Sequence, residues 1–314
     1  MDLKEDFRLT SVSRPIVRTL PPLVNPLFPI DILIGKWVGT GFNQIWRPFF
    51  GTPPTQDHFL ELNETIETLE FAAITGEIPN RGLLQTDMNM HGLTYLQQIQ
   101  DANALAADGS RLPGIHLESG MWLTVPSTSN PNSPATVARM SNIPHGTAFV
   151  AQGSALPLSA TPIFAVADIT PFLIGRPQEL IRFPESNLAT STTFRTAVTD
   201  IPHVTQQMVD NPNSLLASAI HGQNITSTTA FKISTVAPNP PPSGGGTSNI
   251  SFLQGAGTGP NAQSAEVDAT FWVETVLGPH GSRKTLLQYS QRVLLNFNGL
   301  SWPHISVATL VKQQ

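Results

Sequence analysis

From Ile32 onward the chain is written in short runs of β-branched and aromatic residues, each closed by a cluster of Gly, Pro, Asn or Ser. This rhythm constrains the fold more than any other feature, because strand-period alternation punctuated by turn residues specifies an antiparallel meander. The runs fall at 32–42, 59–71, 93–100, 115–125, 136–141, 147–152, 224–236, 265–277, 286–297 and 302–312. The last of them reaches almost to the carboxyl terminus. About ten strands ending there predict an all-β protein, a closed antiparallel β-barrel whose final strand seals against its first. No repeat of about 20–50 residues is present, which disfavours propellers and solenoids.

Two stretches break the rhythm. Residues 1–30 carry Pro15, Pro21, Pro22, Pro26 and Pro29, which interrupt helices and remove strand donors, so they are expected to form an extended arm laid on the body. The rest, 31–314, is expected to be a single barrel domain with a proline-rich insertion at about 156–260. Within that insertion Asp210 to Ser214 supply cap residues and Leu215 to Ile220 supply helix formers, which predicts one short helix. Ala237 to Thr247, rich in Pro and Gly, is expected to be a flexible surface loop.

Composition then narrows the function. Charged residues make up 12% of the chain, against ~25% in ordinary soluble domains. Only 17 Lys and Arg and a net charge of -5 leave no basic footprint for nucleic acid. Without a single cysteine there is no disulfide framework, thiolate zinc site, iron–sulfur cluster or Cys nucleophile, so any metal must be held by His or carboxylate. His residues show no ligand spacing suited to zinc. Neither a secretory signal nor an apolar run of membrane-spanning length is visible, and the expected setting is cytoplasmic, with no membrane partner.

Two segments could carry chemistry. Gly35-Lys36-Trp37-Val38-Gly39-Thr40-Gly41 places Gly35, Trp37, Gly39 and Gly41 on one strand face. Such a bare surface fits either sharp coiling of the first strand, with Trp37 plugging a barrel end, or a flat ligand lying against the wall. In the final run, His304 shares a face with Trp302, Ser306, Ala308 and Leu310, and no carboxylate lies within two residues. A neutral imidazole in such a setting suits a haem-iron ligand better than acid–base work, while a hydrogen-bonded core residue is the plainer alternative.

Together with Glu118-Ser119-Gly120-Met121-Trp122, Leu93 to Gln98 and Leu287-Gln288-Tyr289, these segments resemble the nitrobindin family of haem-binding, calycin-type β-barrels. The resemblance covers about 32–155 and 262–312. It implies a haem b cofactor with His304 as the iron ligand and Gly35, Trp37, Gly39 and Gly41 beside it. The implied activity is at ferric haem on a small-molecule ligand or oxidant, as a peroxynitrite isomerase or with peroxidase-like turnover. Distal candidates are His116, two residues from Glu118 on the same face, and His145 in Pro144-His145-Gly146, with Arg139 as a cation. The plainer readings make His116 and Glu118 a surface pair and His145 an exposed turn residue. The remaining alternative is a haem-free carrier of an apolar small molecule inside the barrel.

Overall fold

Because one face of each alternating run is apolar, the runs can be satisfied only by a sheet that curls around its own apolar side. The computed structural model describes residues 25–50, 56–105, 109, 112–158, 161–237, 243–255 and 259–313. In it ten strands form the predicted closed antiparallel barrel. They are β1 (Gly35–Pro48), β2 (His58–Ala73), β3 (Met88–Asp101), β4 (Gly114–Val125), β5 (Thr136–Ile143), β6 (Thr147–Leu158), β7 (Ile225–Ser234), β8 (Gln263–Leu277), β9 (Arg283–Phe297) and β10 (Leu300–Lys312). Each pairs with the next in chain order. Closure comes from β10 returning to β1, from Trp37↔Lys312 to Ile45↔His304. This architecture is consistent with a calycin-like fold.

The ladder between β6 and β8 is completed by an element that the sequence reading assigned to a loop. β7 pairs β6 only from Gln152 to Leu158, and Gly244–Asn249 pairs the remaining stretch from Thr147 to Gln152. Gly244, Gly245 and Gly246 all have positive φ, and a Cβ on Gly245 would stand 2.0 Å from the Val150 carbonyl oxygen. Only glycine can pair there, so low side-chain content marked a close approach rather than a free loop. Of the expected arm, residues 1–24 lie outside the described residues. Residues 25–33 form turns and a 3-10 helix (Ile30–Leu33) rather than extended chain.

The stretch from 156 to 260 ends in the Gly244–Asn249 strand and a short helix at Ser251–Gln254. Before these it contains the end of β6, the whole of β7, and between those two a segment laid on the outside of the barrel. That outer segment holds a small hairpin at Phe172–Leu173 and Arg176–Leu180 and the helices α1 (Gln206–Asp210) and α2 (Asn213–Ile220). It covers a wall whose outward side chains are apolar: Phe42, Trp46, Leu60, Leu62, Ile305 and Val307 are all buried. Burying each such side chain contributes roughly 1.5–3 kcal/mol. Outward polar groups meet backbone in the insertion. Gln44 Nε2 donates to the Met208 carbonyl at 2.7 Å, Trp46 Nε1 to Ile169 at 2.9 Å and Gln288 Nε2 to Leu216 at 3.0 Å. Among the described residues no helix is long and apolar enough to cross a membrane.

Candidate functional site

The strand parity that turns Trp37 inward also sends Gly39, Gly41, Asn43, Ile45 and Arg47 to the barrel interior. Along this one strand the interior changes from filled to hollow. At the Trp37 end, Leu69, Phe71, Leu93, Trp122, Phe231, Phe271, Leu287 and Leu310 are buried, and Trp122 meets Phe271 edge-on at 5.3 Å. Trp37 itself is fully buried, donates Nε1 to the Leu33 carbonyl at 2.7 Å, and has Lys312 Nζ 5.1 Å from its ring centroid. It plugs that end.

Gly39 and Gly41 belong to the filled half. A Cβ on Gly39 would lie 2.1 Å from the Thr309 carbonyl oxygen, and one on Gly41 2.3 Å from that of Val307 and 2.7 Å from Glu67 Oε1. The backbone of β10 and a glutamate occupy the space above them, leaving no flat platform. Gly35, with φ +121, begins the strand beside Lys312. None of Gly35, Trp37, Gly39 and Gly41 lines the cavity that holds the sequence-predicted histidines.

A polar floor separates the halves. Arg139 and Glu118, both buried, form an ion pair. Arg139 Nε also donates to the Tyr95 hydroxyl at 3.0 Å and Nη1 to Gln291 Oε1 at 2.7 Å, while the Tyr95 hydroxyl donates to Glu118. Burial alone would raise the Glu118 carboxyl, but the Arg139 charge, with His116 and Tyr95, outweighs it and draws the group down to about 2. Beside it the Tyr289 hydroxyl donates to Glu67 Oε2 at 2.6 Å and Thr65 Oγ1 to Oε1 at 2.8 Å. Among the described residues no Lys or Arg pairs with Glu67, and burial raises its pKa despite these bonds and the charge of His116.

Above the floor lies a cavity of about 270 Å³. Its walls include Ile45, Ile99, Ile143, Val293 and Leu295, and its polar lining includes Asn43, Asn63, Thr147 and Ser306. The rim is open: Arg47 and Glu61, joined at 2.6 Å, are 41% and 30% exposed, and His145 is also exposed. His304, His116 and His145 all line this one cavity. The rings of His116 and His145 lie 5.8 Å apart, and His116 Nε2 is 3.3 Å from Glu118 Oε2. Glu118 and His116 therefore face the interior and are not a surface pair. Arg139 lies in the floor, held by Glu118, and is not part of the lining.

His304 is the most strongly perturbed of the three. Burial, reinforced by the charges of His116 and His145, lowers it to about 3, so its imidazole is neutral at neutral pH. Its Nε2 lies 2.6 Å from Asn43 Oδ1, which also accepts from Ser306 Oγ at 2.8 Å. Among the described residues nothing hydrogen-bonds to Nδ1. Burial and the charge of His116 also lower His145.

Asn43, Asn63 and Glu67 were not nominated from sequence, and Tyr95 and Tyr289 entered only as parts of family-like strands and not as site residues. One signal was available: on β2 the parity that gives Leu69 and Phe71 also gives Asn63, Thr65 and Glu67, a polar run on an inward face. His58, just before the run at 59–71, is 6% exposed and packed among Trp46, Phe183 and Trp302, with Nδ1 2.5 Å from Asp57. The insertion that supplies Phe183 is what buries it.

Fold and site thus define a closed ten-stranded antiparallel barrel with one plugged end and one histidine-lined mouth. Compared with known proteins, the chain matches no family model, no curated protein and no solved structure.

Proposed function

We propose that the mouth binds haem b, with His304 as the residue that would hold the iron, and acts on a small oxidant or ligand. The observation that carries this reading is the convergence of His304, His116 and His145 on one apolar-walled cavity, with His304 held neutral. The donor chemistry suits the group, since iron takes an unprotonated imidazole nitrogen whose partner nitrogen is commonly held by a hydrogen bond. The space is the narrower criterion. About 270 Å³ encloses less than the volume of a haem, and the remainder would need the open rim.

When bound, the haem supplies a redox-active iron able to take up an oxidant such as peroxynitrite or a peroxide. The chain's own contribution is proton handling and exclusion of water. Glu118, kept ionised by Arg139, accepts from His116 Nε2–H and fixes that ring, and His145 at the rim is available as a base. Titrating the purified chain with haemin tests the reading. A Soret band that is lost or shifted in His304→Ala is expected, and a band indifferent to that change would falsify the assignment. Comparing peroxynitrite decay with peroxide turnover of a phenol then separates isomerase from peroxidase activity.

The cavity volume favours a second reading, a haem-free carrier of a smaller apolar molecule, since it lies just under the ~300–1,000 Å³ of typical ligand sites. Native mass spectrometry of the purified chain distinguishes the two by the mass of what is retained.

A further inference from the structure

A neutral histidine has two tautomers, and which nitrogen is basic depends on what the other one meets. For His304 the answer lies three strands away. The Asp101 carboxylate, at the end of β3, accepts Asn63 Nδ2 at 2.7 Å on Oδ2 and the backbone N–H groups of Asn103 and Ala104 at 2.8 and 3.0 Å on Oδ1. An ionised carboxylate can only accept, so the amide nitrogen of Asn63 must face it and the amide oxygen must face away. That oxygen accepts Asn43 Nδ2 at 3.1 Å. Asn43 is oriented in turn, with Oδ1 toward β10, where it takes Ser306 Oγ–H at 2.8 Å and lies 2.6 Å from His304 Nε2. An oxygen there can pair only with a protonated nitrogen.

We propose that Asp101, Asn63 and Asn43 form a one-way hydrogen-bond chain that fixes His304 as the Nε2–H tautomer and leaves Nδ1 as its basic, ligand-ready nitrogen. The chain follows the sheet register: Asn43 is opposite Asn63 across β1 and β2, and opposite Ser306 across β1 and β10. All three are positioning residues that act through His304. Their role in setting the tautomer is independent of haem. The consequence that iron would be taken by Nδ1 rests on the proposed haem reading.

The test uses the haem-free full chain labelled with 15N-histidine, with long-range proton–nitrogen correlation spectra near neutral pH and His304 assigned by its loss in His304→Gln. Wild type is expected to show His304 as the Nε2–H form alone, with that proton protected from solvent exchange. In Asn43→Leu the protection is lost and both tautomers are seen. Asn43→Asp keeps an acceptor, so it restores the Nε2–H form and raises the His304 pKa, a rescue that a packing role would not produce. Should Asn43→Leu fail to fold, Asp101→Asn removes the acceptor-only anchor from a distance and is expected to erode the tautomer preference by about fivefold, the weight of one net hydrogen bond. An Nδ1–H form in wild type, or a tautomer and exchange rate unmoved by both Asn43→Leu and Asp101→Asn, overturns the proposal. Because no haem is present, this outcome is independent of whether haemin gives a Soret band.

Discussion

The two ends of the barrel are made from the same ten strands and differ in what the inward positions carry. At one end the sequence Trp37-x-Gly39-x-Gly41 alternates one large ring with no side chain at all, and aromatic residues from β2, β4, β7 and β8 fill the space to the walls. At the other, Asn43-x-Ile45-x-Arg47 continues the same face of the same strand, and the interior holds a cavity with polar groups around it. Packing is complete where only apolar contact is needed. Where polar groups must be retained each requires a partner, and partners impose geometry that leaves space.

This contrast can be broken in a definite order. Trp37→Ala empties a fully packed position and is expected to cost ~3–5 kcal/mol in urea unfolding, whereas Ile45→Val beside the existing cavity should cost under ~1 kcal/mol. Equal losses at the two sites would refute the distinction between a filled and a hollow end. At the boundary, Arg139→Leu strands the buried Glu118 carboxylate and is expected to cost about 3 kcal/mol at pH 7. The wild-type benefit has a defined pH range, since Glu118 is lowered from 4.5 to about 2. It is present above pH 4.5 and lost as pH falls toward 2. Arg139→Leu should therefore flatten that acid limb, and an unchanged limb would show that the pair does not control it.

A third carboxyl sharpens the comparison from outside the barrel. Glu274, on the outward face of β8, is fully buried, has no hydrogen-bond partner for either oxygen among the described residues, and is raised by burial to about 8. Its neutral form is the one that the fold accepts, so the sign is opposite to that of Glu118. Stability is full below pH 4.5 and falls as pH rises toward 8. Glu274→Gln is expected to recover ~2 kcal/mol at pH 8.5 and little at pH 5, measured by chemical unfolding at both. A variant that falls with pH as steeply as wild type would remove Glu274 as the cause.

How much of this was legible in the chain depends on the range of the interaction that decides each feature. The β-strands were legible because alternation is local, and so was α2 from its run of helix formers, although its N-cap is Pro212 with no side-chain cap bond. The polar floor was only half legible: His116 and Glu118 on one face were noted, but nothing near them in sequence says that the face is inward. The burial of His58 was not legible, because Phe183 and Trp302, which pack on it, are far away in the chain. The run Gly244 to Gly246 was misread for the opposite reason. Its lack of side chains is local, whereas the strand edge it completes is not.

By itself the sequence determined a cysteine-free all-β chain whose alternation closes into a barrel, and it nominated Trp37 and His304 with the residues that share their strand faces. Only the tertiary structure decided what those faces meet. The closure of β10 on β1 sets His304 beside Asn43 across 261 positions, and the pairing of β1 with β2 and β2 with β3 carries that contact on to Asp101. A hydrogen bond is sensitive to tenths of an ångström and to direction. Residue type can nominate its donors and acceptors, but the register of a closed sheet brings them together.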